Sequence, residues 1–328
     1  MPDKIRWGIL STGNIANKFA SDLKHAEGAV IQAVGSRTQA SADAFAGKYG
    51  IPNRHTSYEA LAADPEVDVI YVGTPHNFHQ EHSILALNAG KAVLCEKPFA
   101  INCAEAKAVF AVAQAKQRFI MEAMWTWFIP AVAQAKSWVD EGRIGAVRML
   151  HANFGFRMDD EERGRLRDKT LGGGSLLDVG VYPIALAAFM LDKTPVSIQS
   201  AACMEPAGVD EQAAFLLKYD RGELAVLSSA IATATNYDAY IEGEAGMIHI
   251  HSPFWCSRRA TLLRPDEEPL VAECPMPGNG MQYQALEVMR CLREGRLESP
   301  TMTHARTIEV MTIMDTIRAQ WGLRYPME

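Results

Sequence analysis

The chain has 328 residues, of which 48% are hydrophobic and 22% charged, and its formal net charge is -7 at pH 7. A chain of this length usually forms more than one hydrophobic core, so we expect two domains. The acidic balance disfavours nucleic acid and anionic membranes as partners, because both require a basic face, and it favours a small soluble ligand.

The start of the chain and the cysteines indicate the compartment. After Met1 the sequence enters a strand-like run without an apolar leader, and no segment approaches ~20 uninterrupted apolar residues. We therefore expect neither export nor membrane insertion, but a cytoplasmic protein. The six cysteines are spread along the chain without C-x-x-C spacing, which predicts reduced thiols and no metal site.

Up to about residue 123, short β-branched runs alternate with amphipathic stretches, a pattern typical of βαβ units around a doubly wound parallel sheet. The predicted strands are residues 5–10, 30–35, 67–72, 92–94 and 119–121. The predicted helices are residues 15–25, 40–49, 58–63, 78–88 and 104–117. Gly90 supplies a stop after the fourth helix, because glycine readily adopts the left-handed conformation there.

After Pro130 the pattern changes to strand-like stretches separated by glycine turns, which indicates a mostly antiparallel sheet. One helix runs to about Glu141, and the predicted strands are residues 147–156, 196–203, 213–219, 223–231, 237–241 and 247–251. Further helices are predicted at residues 175–191, 283–294 and 304–321. The fold class is thus α/β followed by α+β, with domains at 1–124 and 125–328. An alternative for the last helix is that it packs back on the first domain.

The turn after the first strand predicts a dinucleotide site. Residues 8–16 read GILSTGNIA, close to G-x-G-x-x-A with serine at the first glycine. Such a turn brings backbone N–H groups and a helix N-terminus against a pyrophosphate. The predicted contacts are Ser11, Thr12, Gly13, Asn14 and Ile15. The alternative is an ordinary glycine turn, which commonly follows a strand.

The residues after the second strand predict which dinucleotide binds. Ser36, Arg37 and Thr38 stand where an NAD site would carry Asp or Glu. A carboxylate there repels a 2′-phosphate, whereas arginine and hydroxyl groups bind one. The sequence therefore predicts NADP, with NAD as a possible second cofactor. The alternative is that Arg37 only caps a solvated turn.

Two segments that follow later strands are expected at the carboxyl edge of the sheet, where open α/β sheets bind ligands. The first contains Thr74, Pro75, His76 and His79; the second is Glu96-Lys97-Pro98. A lysine beside the nicotinamide can bind a substrate oxygen and assist proton transfer. The alternatives are a surface Lys–Glu pair, and histidines that cap the next helix instead of bordering the cofactor.

A third segment begins with the glycine turn 172–174 and enters a helix that we expect Ser175 to cap. Asp178 and Tyr182 are spaced i, i+4 and would share one helical face. A tyrosine whose pKa is lowered by a neighbouring lysine can act as a general acid or base. Lys97 and Tyr182 would form that pair if the domains close on one cleft. The alternative is a purely structural Asp-x-x-x-Tyr.

Together these motifs resemble the glucose–fructose oxidoreductase / inositol dehydrogenase (Gfo/Idh/MocA) family over essentially the full length. The resemblance is carried by Glu96-Lys97-Pro98 and the segment 172–182, supported by the turn 11–16. The stretches 7–12, 35–37 and 122–130 look most like the branch that oxidises dihydrodiols and D-xylose with NADP.

The resemblance implies a Rossmann domain followed by an open-faced sheet, a site between the domains, no metal, and a homodimer or homotetramer through the open sheet face. It implies Lys97 as the catalytic lysine, Asp178 as a substrate-orienting acid, and Tyr182 where many relatives carry histidine. With these, the expected substrate contacts are Trp125, Phe154, Arg157, Asp178 and Tyr182.

Two neighbouring features keep a structural alternative. Trp125, Trp127 and Phe128 either stack on a sugar ring or belong to a core at the domain junction. The charged segment 157–168, with four arginines among acids, is either a loop over the cleft or a solvated stretch.

The sequence thus predicts hydride transfer between NADP and a hydroxyl or carbonyl carbon of a sugar or trans-diol. Alternatives are a keto-sugar reductase, of the kind that acts on 1,5-anhydrofructose, and an NAD(P)-sensing regulator without turnover. A sensor would have no need of the proton-transfer pair Lys97 and Tyr182.

Overall fold

The computed structural model describes residues 4–157 and 164–328. The chain divides into two compact units. Unit 1 comprises the residues up to Trp125 together with Pro277–Ile308, and unit 2 comprises Thr126–Met276 together with Glu309–Glu328.

The helices and strands carry labels in chain order. The strands are β1 (Ile5–Leu10), β2 (Ala29–Gly35), β3 (Asn53–His55), β4 (Val69–Val72), β5 (Ala92–Glu96), β6 (Ile120–Ala123), β7 (Val147–Gly155), β8 (Ser197–Met204), β9 (Asp210–Lys218), β10 (Leu224–Ala230), β11 (Ala239–Gly243), β12 (Gly246–Ile250), β13 (Arg259–Leu263) and β14 (Leu270–Glu273). The helices are α1 (Asn14–Leu23), α2 (Gln39–Tyr49), α3 (Tyr58–Ala62), α4 (His79–Asn88), α5 (Cys103–Lys116), α6 (Pro130–Asp140), α7 (Val181–Leu191), α8 (Gln282–Arg293) and α9 (His304–Trp321).

Unit 1 is built on a parallel sheet with the strand order β3-β2-β1-β4-β5-β6. This is the doubly wound order of dinucleotide-binding domains, and it confirms the predicted class. The central strands β4 and β5 are buried along their whole length, as expected for a parallel sheet with helices on both faces. The three-residue strand β3 was not predicted, because its polar sequence Asn-Arg-His has no strand pattern.

Local sequence signals define the ends of the unit 1 helices. Thr38 and Asn102 cap α2 and α5 by accepting hydrogen bonds from backbone N–H groups in the first turn. Gly90 follows α4 with a φ of 81°, as predicted for this stop. The segment before α8 is held to α1 by the buried carboxylate of Asp22, which accepts from the backbone N–H of Asn279 and Met281 at 3.0 Å each.

Unit 2 contains an eight-stranded sheet in the order β14-β13-β12-β11-β7-β10-β9-β8. Neighbouring strands are antiparallel except β7 and β10, which pair in parallel, so the predicted mostly antiparallel sheet is confirmed. The short strands β13 and β14, at one end of the sheet, were not predicted, since they are brief and have charged residues at their ends.

The two faces of this sheet differ in exposure. Helices α6 and α7 pack on one face, over buried apolar residues such as Leu150, Ile241 and Leu227. On the other face, Val226, His151, Tyr240 and His249 form one row by register, and Val226 is 41% exposed. This is the open face that the sequence resemblance implied.

One stretch, Lys169–Leu191, is long and apolar enough by composition to cross a membrane. However, 94% of its most apolar window is buried inside the protein, as in the core helix of a globular domain.

Candidate active site

The turn between β1 and α1 has the conformation of a phosphate-binding turn. Ser11 adopts a φ of 113°, in a region that favours glycine. Serine thus takes the backbone conformation that glycine usually has at the first position of the fingerprint. The Ser11 hydroxyl accepts a hydrogen bond from the Gly13 N–H at 3.2 Å. Gly13 precedes α1, and no side chain of the described residues caps this helix. Its first N–H groups are therefore suited to an anionic ligand.

Asn17 stabilises this turn from within α1. Its side-chain amide donates to the carbonyl oxygens of Thr12 and Gly13 at 3.1 and 3.0 Å. Its own carbonyl oxygen accepts from Lys48 and Tyr49 of α2. Asn17 was not predicted from the sequence, because it lies outside the glycine fingerprint and its partners in α2 are about thirty residues away.

The residues after β2 have different surroundings. Ser36 is buried, with its hydroxyl 3.5 Å from that of Thr12. Thr38 is the N-cap of α2, and its hydroxyl accepts from the N–H of Ser41 at 3.3 Å. Arg37 is exposed. Burial raises the pKa of Tyr58, and the positive charge of Arg37 opposes that rise. The cap of α2 is thus Thr38, which leaves Arg37 a solvent-facing cation at the end of β2.

Lys97 follows a buried acid at the end of β5. The carboxylate of Glu96 accepts a hydrogen bond of 2.5 Å from the Tyr71 hydroxyl and one of 3.3 Å from the Lys97 N–H. Burial raises the pKa of Glu96, while the Tyr71 hydrogen bond and the Lys97 charge oppose the rise. The Lys97–Pro98 peptide bond is cis. A surface Lys–Glu pair is therefore wrong for this motif, because Glu96 is buried.

A second buried acid, Glu122 at the end of β6, holds the chain just after Pro98. Its carboxylate accepts from the Phe99 N–H at 3.2 Å and from the Thr307 hydroxyl at 2.9 Å. Burial raises the pKa of Glu122 to about 7. The sequence analysis assigned no role to Glu122, and its partner Thr307 lies 185 residues away along the chain.

His79 connects the loops that follow β4 and β5. Its Nε2 lies 2.8 Å from the Thr74 carbonyl oxygen and its Nδ1 2.8 Å from the Pro98 carbonyl oxygen. Burial lowers the pKa of His79 to about 4, although both carbonyls favour the protonated ring. His76 is also buried, with its ring 5.7 Å from the His79 ring. His79 thus fixes the positions of the Thr74-Pro75 and Lys97-Pro98 segments.

In unit 2, the segment with Asp178 begins differently from the prediction. Residues Leu176–Gly180 form a π-helical turn, and α7 starts only at Val181. The prediction that Ser175 caps the helix was wrong, since its backbone is already helical and its hydroxyl donates to Asp210. In a π-turn, N–H groups bond to carbonyls five residues back, so the i, i+4 rule does not by itself place Asp178 and Tyr182 on one face.

Asp178 and Tyr182 are both buried, and each exposes less than a tenth of its surface. Asp178 accepts a hydrogen bond of 2.8 Å from Arg165, a partner from the charged segment that precedes the glycine turn. A π-turn inside a helix frequently marks a functional site. Of the charged segment, residues 158–163 lie outside the described residues, and Arg157 is exposed two residues after β7.

Aromatic side chains surround Tyr182. Its ring lies 5.3 Å from that of Phe154 and 6.3 Å from that of Trp255. Phe154 and Trp255 stack with ring centroids 3.5 Å apart, and Tyr237 meets both rings edge-on. Phe154 was among the residues predicted from the sequence, whereas Tyr237 and Trp255 were not. Tyr237 lies in the loop before β11, and Trp255 lies in the loop after β12.

Trp127 belongs to the core. It is almost fully buried, donates to the Ala185 carbonyl oxygen at 3.2 Å and stacks on Phe189 of α7. The core alternative therefore holds for Trp127. Trp125 is buried at the end of unit 1 and Phe128 is half-buried.

The two units thus offer complementary groups. Unit 1 presents an anion-binding turn, a nucleotide-binding sheet order and a lysine beside buried acids. Unit 2 presents a phenol and a carboxylate next to an aromatic cluster. A doubly wound domain with this turn, joined to an open-faced sheet domain, defines a nicotinamide-dependent oxidoreductase.

Comparison with known proteins agrees with this class. Residues 5–124 match the model of an oxidoreductase family with an NAD-binding Rossmann fold, and residues 132–249 match the GFO/IDH/MocA C-terminal domain. The chain belongs to the GFO/IDH/MocA family, as the resemblance predicted. It is an NAD(P)-dependent oxidoreductase, and the N-terminal Rossmann domain is its dinucleotide-binding part.

Three relatives illustrate the similarity. The chain is 36% identical over 332 residues to trans-1,2-dihydrobenzene-1,2-diol dehydrogenase of Danio rerio, with 99% of both chains covered. The aldose–aldose oxidoreductase of Caulobacter crescentus, solved with glycerol, has a TM-score of 0.88 at 25% identity and covers 97% of this chain and 98% of its own. A 3-ketoreductase of Actinomadura kijaniata, solved with NADP and TDP-benzene, has a TM-score of 0.85 at 25% identity and covers 96% and 97%.

Proposed function

We propose that this protein transfers a hydride between NADP and a hydroxyl-bearing or carbonyl carbon of a trans-diol or sugar. The observation that carries the proposal is the position of Tyr182, a buried phenol in the first turn of α7 beside an aromatic cluster. A phenol in such surroundings can exchange a proton with a substrate hydroxyl. The relatives named as dihydrodiol dehydrogenases support a diol as the substrate.

The residues of unit 1 fit a dinucleotide. Backbone groups of the turn from Ser11 to Ile15 would hold the pyrophosphate, and Ser36, Arg37 and Thr38 would hold the 2′-phosphate. The ordered segments Thr74-Pro75-His76 and Glu96-Lys97 would border the nicotinamide, with His79 keeping them in place. When bound, the nicotinamide supplies the carbon that accepts or donates the hydride.

The proton chemistry falls to side chains of this chain. In oxidation, the Tyr182 hydroxyl oxygen takes the proton of the substrate hydroxyl, and in reduction it returns one. In the proposed pair, the Lys97 ammonium would stabilise the phenolate form of Tyr182. Asp178 accepts a hydrogen bond from a second substrate hydroxyl and orients the ring. A diol or sugar offers that second hydroxyl, whereas a simple alcohol does not.

The aromatic cluster supports a ring-shaped substrate. Phe154 and Trp255 present parallel rings at 3.5 Å, and Tyr237 packs against their edges. Flat aromatic surfaces bind the apolar face of a cyclic diol or a pyranose. With Trp125 and Arg157, these residues are the proposed substrate contacts.

The proposal is tested by a turnover panel. The purified protein is mixed with NADP or NAD and with trans-dihydrodiols, aldoses, inositols and keto-sugars, and reduced nicotinamide is followed by absorbance in both directions. We expect turnover of a trans-diol or of xylose, faster with NADP. Tight cofactor binding without turnover of any polyol or sugar would overturn the proposal and favour a nucleotide-sensing role.

A keto-sugar reductase is the second candidate, favoured by the similarity to a 3-ketoreductase solved with NADP. A keto-sugar reductase would use the same residues to run the reaction in the direction of reduction. Only the substrate therefore distinguishes the two candidate functions. Oxidation of NADPH by a keto-sugar, with no oxidation of diols, would select it.

We also propose that the chain forms homodimers or homotetramers through the open sheet face. Support comes from the row on this face that contains the exposed Val226 and the half-buried Tyr240, and from the family resemblance. Sedimentation of the wild type and of Val226→Glu tests this; identical oligomers would count against this face.

A further inference from the structure

A buried network anchors the start of the helix that carries Tyr182. Asp210, the first residue of β9, is fully buried in unit 2. Its Oδ2 accepts a hydrogen bond from the Leu176 N–H at 2.6 Å and one from the Ser175 hydroxyl at 2.8 Å. The Ser175 hydroxyl is also 2.8 Å from that of Ser229 on β10. Two neighbouring strands thus hold the residues from which the π-turn begins.

The glycines of this segment allow the close approach. Gly174 has a φ of 107°, and a Cβ there would lie 2.3 Å from Asp210 Oδ1. A Cβ at Gly173 would lie 2.4 Å from the Leu166 carbonyl oxygen, and one at Gly180 would lie 3.1 Å from the Ser229 hydroxyl. The glycine turn therefore brings the backbone directly onto the carboxylate of Asp210.

The start of the helix partly compensates the burial of the Asp210 carboxylate. An acid near a helix N-terminus interacts favourably with the partial positive charge of the first N–H groups. Ser175 does not cap this segment, so Asp210 acts as the capping acid from a distant strand. The hydroxyl of Tyr325, near the C-terminus, donates a hydrogen bond of 2.7 Å to the Gly173 carbonyl oxygen. This bond also stabilises the glycine turn.

We propose that Asp210 is the positioning residue of the active site, because its hydrogen bonds set the placement of the π-turn with Asp178 and of Tyr182 in the following turn. The inference rests on the proposed function for its catalytic consequence, but the anchoring itself does not. Asp210 does not take part in proton transfer; it acts through the backbone of Leu176 and the hydroxyl of Ser175.

The test compares three variants. Asp210→Ala removes both hydrogen bonds, whereas Asp210→Asn keeps an acceptor oxygen for them. Glu223→Gln is the matched control: it removes a buried carboxylate from the hairpin between β9 and β10, where Glu223 binds Lys193 and the Arg221 N–H. Hydrogen exchange of the peptide covering residues 174–182, kcat, the KM values and NADP affinity are measured for each.

We expect Asp210→Ala to speed exchange in this peptide and to lower kcat about tenfold, the scale of one or two lost hydrogen bonds. The KM for NADP and the NADP affinity should stay unchanged, since the dinucleotide-binding residues lie in unit 1. Asp210→Asn should recover most of the loss, and Glu223→Gln should change neither exchange nor kcat.

Equal exchange and equal kcat in Asp210→Ala and Glu223→Gln would overturn the proposal. If Asp210→Ala does not fold, Ser175→Ala decides, because it removes one of the two hydrogen bonds; a wild-type exchange pattern and kcat in that variant would overturn it as well. If the wild type turns over no substrate, the proposed function fails. The exchange data then decide the anchoring alone, and unchanged exchange in residues 174–182 would refute it.

Discussion

The Tyr71 hydroxyl donates a 2.5 Å hydrogen bond to the buried carboxylate of Glu96, the residue directly before Lys97. Tyr71 stands at the centre of β4 and Glu96 ends β5, so the bond crosses neighbouring strands of the sheet. A buried carboxylate is costly unless donors satisfy it. The Tyr71 hydroxyl therefore partly offsets the cost of burying the acid next to the lysine of the proposed active site.

Tyr71→Phe should lower the free energy of unfolding by about 1–3 kcal/mol at pH 8, the cost of leaving a buried acceptor without its partner. The ring remains stacked on Phe19, so packing is conserved. Removal of the donor raises the pKa of Glu96 further, so the loss should diminish as the acid is protonated at lower pH. Urea unfolding measures the effect. In a Glu96→Gln background the same substitution should cost less, and an equal cost would contradict this explanation.

Lys97→Met and Tyr182→Phe should each lower kcat roughly a hundredfold, the usual contribution of a general acid–base group. If the two side chains act as one unit, the double variant should be little worse than either single variant. Stopped-flow and steady-state assays with the substrate of the turnover panel provide the rates. If the loss of kcat in the double variant equals the product of the two single losses, Lys97 and Tyr182 act independently.

Matched controls for this pair are Lys107→Met, an exposed lysine of α5, and Tyr283→Phe in α8. Both should keep normal turnover. NADP should still bind to Tyr182→Phe, and loss of that binding would indicate a misfolded variant or a different role for the phenol.

Arg37→Ala should weaken NADP binding by about 10- to 100-fold, as expected for loss of charge-assisted hydrogen bonds to a phosphate. NAD has no 2′-phosphate, so its affinity should not change. Cofactor fluorescence titration gives both dissociation constants. Arg54→Ala is the control, because Arg54 is a similarly exposed arginine that pairs with Asp43. Equal losses for NADP and NAD would remove Arg37 as the selector.

Asp210→Asn should increase stability at alkaline pH. Burial raises the pKa of Asp210 to about 6 from 3.8, so the ionised acid costs the folded state about 3 kcal/mol above that pH. Between pH 6 and 4 the folded acid takes up a proton that the unfolded chain does not hold, so wild-type stability rises as the pH falls. The advantage of the asparagine variant should therefore be largest near pH 8 and shrink below pH 6.

Urea unfolding at pH 8, 6 and 5 measures this trend. Glu223→Gln should show the opposite sign: burial acts to raise the pKa of Glu223, but hydrogen bonds from Lys193 and the backbone outweigh it and the pKa is lowered. An asparagine variant less stable than the wild type at pH 8 would refute the prediction for Asp210.

Much of the architecture could be predicted from the sequence, because it is encoded in local patterns. The alternation of apolar runs and amphipathic stretches predicted the parallel sheet, and Gly90 marked a helix end whose positive φ favours glycine. Lys97 and Tyr182 could be proposed as site residues because each stands in a short motif, Glu96-Lys97-Pro98 and the segment 172–182. The strands β3, β13 and β14 were not predicted, since polar or brief segments become strands only by pairing with a neighbour.

The tertiary structure alone decided how distant residues combine. Glu122 meets Thr307, Asp210 meets Ser175, and Tyr237 meets Trp255 and Phe154, and no spacing along the chain indicates these pairs. It also replaced the expected serine cap by an acid from another strand. The sequence by itself determined which chemical groups the protein has and the local turns that carry them. Their burial, hydrogen bonds and shifted pKa values arise only when sheet register and helix packing bring separate segments together.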